Sequence, residues 1–155
     1  MNEIFEKLVR NNFQFLTGDF AFQLIDVEKN NYGCLLWYKN QTTVVRVSLE
    51  LYDGGIFVTI YQLKDGNIPE YPTFFDPAAE FLIFDLNDLL ILRTGKKVEQ
   101  DSSLTYGEEY LTMKVEEFAR LLEKHGSDVL SGDFGILAKI KEKVARRAKE
   151  LEDEQ

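Results

Sequence analysis

From Thr42 to Lys64 the chain reads TTVVRVSLELYDGGIFVTIYQLK, with apolar side chains at every second position on both sides of Asp-Gly-Gly. A period of two is what a strand with one buried face requires, and Asp-Gly is among the dipeptides most favoured in tight hairpins. With Asp53-Gly54 as a two-residue loop, Tyr52 opposes Gly55, Leu51 opposes Ile56, Leu49 opposes Val58 and Val47 opposes Ile60. Between these pairs, Glu50 opposes Phe57, Ser48 opposes Thr59 and Arg46 opposes Tyr61. Directly opposed residues share a face, so one face of the predicted hairpin is aliphatic and the other mixed.

Two earlier runs, FAFQLIDVE and CLLWYK, are also rich in β-branched or aromatic residues and are separated by KNNYG. Parity carried back across an Asn40-Gln41 turn puts Cys34 and Leu36 on the aliphatic face, and Leu35 and Trp37 on the mixed one. The turn before Cys34 is ambiguous in length and leaves the faces of the first strand open. After the hairpin, all three prolines fall between Ile68 and Pro77, which predicts a loop leaving the sheet. EFLIF suggests a short fifth strand, DLNDLLIL a short helix capped by Asp85, and Lys96–Ser103 a polar loop.

Helical periodicity frames the strands. NEIFEKLVRNNFQFL places Ile4, Phe5, Leu8, Val9 and Leu16 on one stripe, which predicts an opening helix closed by Gly18. TMKVEEFARLLEKHG aligns Val115, Phe118, Ala119 and Leu122 and stops at Gly126. The last helix aligns Leu137, Ile140, Val144, Ala148 and Leu151, with Asp133 as its expected N-cap and a frayed acidic end. At 155 residues the expectation is one α+β domain: an N-terminal helix, an antiparallel four- to five-stranded meander, and C-terminal helices packed on the sheet.

Two stretches nearly repeat, LTGDFAF at Leu16–Phe22 and LSGDFGI at Leu130–Ile136. Their flanks differ, since a strand follows the first and a helix the second, so they are read as turn chemistry used twice.

Composition narrows the function. The net charge of -9 disfavours nucleic acid and anionic membrane surfaces, whose phosphates need a basic face. The six basic residues of the last helix are offset by five acidic ones among residues 138–155 and spread around it. No apolar run is long enough to span a bilayer, and MNEIFEKLVRNNF lacks the apolar core of a secretory signal. A single cysteine forms no intramolecular disulfide, and a reducing cytoplasm is expected. Neither a phosphate loop nor a dinucleotide fingerprint occurs, and the acidic residues lack the EF-hand spacing. Cys34 sits mid-strand on the aliphatic face, and the only histidine, His125, ends a helix, where a cation suits the dipole. No catalytic group, metal or cofactor is assigned.

The mixed face carries the most informative residues: Leu35, Trp37, Arg46, Glu50, Phe57, Thr59 and Tyr61. Trp, Tyr and Arg combine large area with polar handles and are enriched where proteins bind one another. The PEYPTFFDP loop adds Tyr71, Phe74 and Phe75. Trp37, Arg46, Glu50, Tyr61, Tyr71 and Phe74 are therefore the candidate binding residues, unless a helix covers the face.

In size, acidity, lack of a catalytic constellation and helix–meander–helix layout, the chain resembles the small cytoplasmic immunity proteins with which bacteria neutralise toxins. The tryptophan-glycine and Leu-Pro pattern of the best-known such superfamily does not occur in it. The resemblance implies a non-enzymatic, acidic protein-binding module that inhibits a basic toxin domain by occlusion. The alternative is a small-molecule-binding protein or an enzyme with a carboxylate and tyrosine pocket between the sheet and loop 68–77. Homodimerisation is compatible with either.

Overall fold

A computed structural model describes residues 1–52, 54–100 and 107–154. Helices α1 (Asn2–Asn12) and α2 (Gln14–Asp19) lead into strands β1 (Gln23–Asn30), β2 (Gly33–Lys39), β3 (Thr43–Glu50) and β4 (Gly55–Gln62). A long connection follows, then β5 (Ile83–Asp85), α3 (Leu86–Thr94), α4 (Glu108–His125), α5 (Ser127–Leu130) and α6 (Leu137–Asp153). The strands form one antiparallel sheet in chain order, β1-β2-β3-β4-β5, as expected of an α+β meander. Among the described residues no helix is long and apolar enough to cross a membrane.

The two-face pattern holds, but both turns differ from expectation. Glu50 pairs with Gly55, Leu49 with Ile56, Val47 with Val58 and Arg46 with Thr59, a shift of two residues. Leu51 leaves the hairpin because its N–H donates to Tyr32 O (2.9 Å) in the neighbouring turn. Gly33 permits that approach, since a Cβ there would collide with the Leu49 carbonyl oxygen. Asp53 itself lies outside the described residues. The preceding turn has Gln41-Thr42 at its tip, with Lys39 opposite Val44. Asn40 sets it, its Oδ1 accepting from the N–H groups of Thr42 (3.0 Å) and Thr43 (2.9 Å). A shift of two preserves strand parity, so every face assignment survives.

The aliphatic face is the core. Cys34, Leu36, Val45, Val47, Leu49, Ile56, Val58 and Ile60 are each at most 1% exposed. α1 packs on β2 and β3, and α4 packs on β4 and on α1. Phe5, Val9 and Leu16 face the sheet as their spacing implies, whereas Ile4 is exposed. The opening helix is two helices, not one. The Asn12 side chain donates to the Leu8 carbonyl (2.9 Å) where the helix breaks, and Phe13 turns fully into the core.

Asp85 caps α3, its carboxylate accepting the Asn87 N–H at 2.7 Å. α4 buries Val115, Phe118, Ala119 and Leu122 and ends at Gly126, as its periodicity predicts. α6 packs on α3 through a shorter stripe than expected: Ile140 is buried, while Leu151 is 59% exposed.

The paired Leu-X-Gly-Asp-Phe stretches differ in conformation yet meet at one residue. In the first, Gly18 is an ordinary helical residue of α2, and the left-handed position is Ala21 (φ 59°). In the second, Gly132 is left-handed (φ 92°) and lies against the Thr42 side chain. Asp133 does not cap α6, which begins four residues later. Its carboxylate accepts the Gly135 N–H (3.0 Å) in a local turn instead. The Asn40 amide donates to both Phe20 O and Leu130 O, each at 3.0 Å, and so ties the two stretches to the β2–β3 turn.

Candidate binding face

Register alone brings Trp37, Arg46 and Thr59 into a row across β2, β3 and β4. Tyr61 is the diagonal neighbour of Arg46, and both Tyr61 and its opposite residue Val44 are buried. The Trp37 and Tyr61 centroids lie 5.7 Å apart. The guanidinium carbon of Arg46 sits 5.3 Å from the Trp37 ring, 5.7 Å from Tyr61 and 5.5 Å from Tyr71. Tyr71 comes from the proline-rich connection between β4 and β5, which folds back over the face. The helices α1 and α4 occupy the opposite, aliphatic side.

The candidate residues therefore divide. Trp37, Arg46, Tyr61 and Tyr71 form one cluster. Glu50 shares their face but stands four residues along β3 from Arg46, about 13 Å away at strand rise. It borders a shallow depression of about 340 Å³ with Tyr32, Leu35 and Tyr52, whose tyrosine rings are 5.6 Å apart. Phe74 is 73% exposed at the loop tip, and Phe75 turns to Phe81 with centroids 6.4 Å apart.

The same face also carries charge. The β1–β2 register, with faces that the sequence left open, puts Asp26 opposite Trp37 and Glu28 opposite Leu35. With Glu50 and with Asp85, opposite Thr59, these give the mixed face four carboxylates. Burial pushes the Asp85 carboxyl up to about 6, against a downward pull from its bond to Asn87 and from Arg147 and Arg46. Nearby, Arg147 of α6 pairs with the buried Asp88 at 3.0 Å. Burial also raises the Tyr61 phenol, with Arg46 opposing.

Three buried side-chain atoms have no hydrogen-bond partner among the described residues, and two of them are here: Arg46 Nε and Trp37 Nε1. The Arg46 guanidinium makes one long hydrogen bond, from Nη2 to Thr59 Oγ1 at 3.4 Å, and no ion pair among the described residues. Buried polar atoms are rarely left unpaired, and two orphaned donors beside one another mark this cluster apart from the rest of the fold.

Other chemistry is weaker. Burial pushes the Cys34 thiol up to about 11, which leaves it without nucleophilic thiolate at neutral pH. No group of three or more His, Cys, Asp or Glu residues among those described could hold a metal ion. A cavity of about 790 Å³ lies at the Asn40 end of the sheet and is lined in part by Asp19, Phe20, Lys39, Gln41 and Ser131. It is wide open, and Asn40 inside it already commits both its oxygen and its amide hydrogens to backbone groups. The Arg46 cluster is the stronger candidate on that ground. No family model, no curated protein and no solved structure matches this chain.

Proposed function

We propose that this chain is a non-enzymatic protein-binding module that receives a basic protein partner on the mixed face, in the manner of an immunity-type protein acting by occlusion. The observation that carries this reading is the assembly of Trp37, Arg46, Tyr61 and Tyr71 on a face that also carries Asp26, Glu28, Glu50 and Asp85. Tyr61, only 1% exposed, supports the cluster from within, so the contact area comes from Trp37 and Tyr71, while the carboxylates of the face would speed and orient encounter with a basic surface. The exposed rings of Tyr71 and Phe74, 58% and 73% accessible, extend the same surface onto the loop.

The test is affinity capture at low salt from lysate of the source cells, with the wild type beside a Trp37→Ala/Arg46→Ala double variant. A basic protein held at stoichiometric level by the wild type, and lost by a double variant that still unfolds cooperatively, is the expected result. Equal capture by both, or an empty wild-type eluate, would overturn the reading. A second reading, a small molecule held between the sheet and loop 68–77, draws on the position of Tyr71 over Arg46 with Asp85 nearby.

A further inference from the structure

Arg46 is stacked, not paired. The three rings are within cation–π range of the guanidinium, and among its N–H groups only Nη2 has an acceptor among the described residues, Thr59 Oγ1 at a long 3.4 Å. The buried Nε has no acceptor among the described residues, and the indole N–H of the directly opposed Trp37 has none either. Donors gathered without an acceptor call for a group that brings lone pairs and no hydrogens. A carboxylate fits best, since its two oxygens match the fork of a guanidinium and its charge has no local counterpart bonded to Arg46. Asp26, Glu28, Glu50 and Asp85 stand on the same face, and none is hydrogen-bonded to Arg46 among the described residues.

We propose that Arg46 and Trp37 form a receptor for one carboxylate, an Asp or Glu side chain of the protein partner, and that Tyr71 is the lid over it. The inference rests on the mixed face being the binding surface and names the group recognised at its centre. The acidic residues of the same face select basic residues beside that carboxylate, and the Arg46 centre rejects a segment that is basic throughout. Such opposed requirements yield specificity from charge pattern.

Trp37 is the only tryptophan, so its indole N–H gives one resonance and reports the receptor directly. The experiment is NMR titration of the whole chain with sodium acetate, against sodium chloride at equal ionic strength, following the Trp37 indole N–H and the Arg46 Nε–H. Both resonances should move saturably with acetate and not with chloride. Arg46→Lys, which keeps the charge but loses the fork, should weaken the response about tenfold, the equivalent of one charge-assisted hydrogen bond. Trp37→Phe keeps a ring and removes only the N–H, so the Arg46 signal should saturate at higher acetate. Tyr71→Ala should bind acetate at least as tightly as the wild type.

Absence of movement, equal movement with chloride, or an undiminished response in Arg46→Lys would overturn the receptor. Acetate binding together with failed partner capture would sink the protein-binding proposal alone. Successful capture without acetate binding would sink the carboxylate alone.

Discussion

Two residues show how much single side chains decide here. Asn40 uses every hydrogen-bonding position of its amide, fixing its own turn through the oxygen and joining Phe20 and Leu130 through the nitrogen. Asp85 combines a helix cap with burial, and burial prevails in its titration. Its carboxyl is raised from an ordinary 3.8 to about 6. Between these values the unfolded chain has released the proton while the folded chain retains it, so stability falls as pH rises through that window. Asp85→Asn keeps an oxygen for the Asn87 N–H and removes the titration. The variant should gain on the wild type between about pH 4 and pH 6, by about 2 kcal/mol after allowance for partial exposure, and hold that gain above. Glu6 and Asp128, both lowered chiefly by hydrogen bonds from cationic side chains, destabilise the fold at more acid pH in either protein. They cancel in the comparison. Melting temperatures of the two proteins across pH 3–8 check it, and a difference independent of pH would show an ordinary carboxyl at Asp85.

At the scale of elements, the hairpin is the informative case. Alternation over Val45–Leu49 and Ile56–Ile60 fixed which side chains face the core, because parity is insensitive to a shift of two. Alternation could not fix the register, which the bond from Leu51 to Tyr32 and the clearance at Gly33 decided. Val47, fully buried between Leu36 and Val58, tests the face assignment. Val47→Asp places an unpaired charge in the core at a cost of several kcal/mol, out of a total stability of about 5–15 kcal/mol. The variant should show no cooperative thermal transition by circular dichroism, and a well-folded Val47→Asp protein would reverse the faces.

At the scale of the molecule, one core cluster runs from Phe5 in α1 to Ile140 in α6 and includes residues of every strand except the exposed edge strand β1. Such continuity predicts that both sides of the sheet unfold together. Far-UV circular dichroism follows mostly the helices, whereas Trp37 fluorescence follows the mixed face. Their urea midpoints should coincide, and an earlier fluorescence transition would mark the mixed face as a separately unfolding layer.

The residues of the Arg46 cluster were legible from sequence because their face follows from strand parity. Their union with Tyr71, the separation of Glu50 and the exposure of Phe74 were not. No periodicity reports where a loop with three prolines lands. The same division holds throughout. Local patterning determined the elements, the two faces, the Asp85 cap and the α4 stripe, since each depends on side-chain spacing along a single element. Tertiary structure decided the turn registers, the break at Phe13, the meeting of the twin turns at Asn40 and the orphaned donors of Arg46 and Trp37, because each depends on which distant backbone or side chain arrives at the same place.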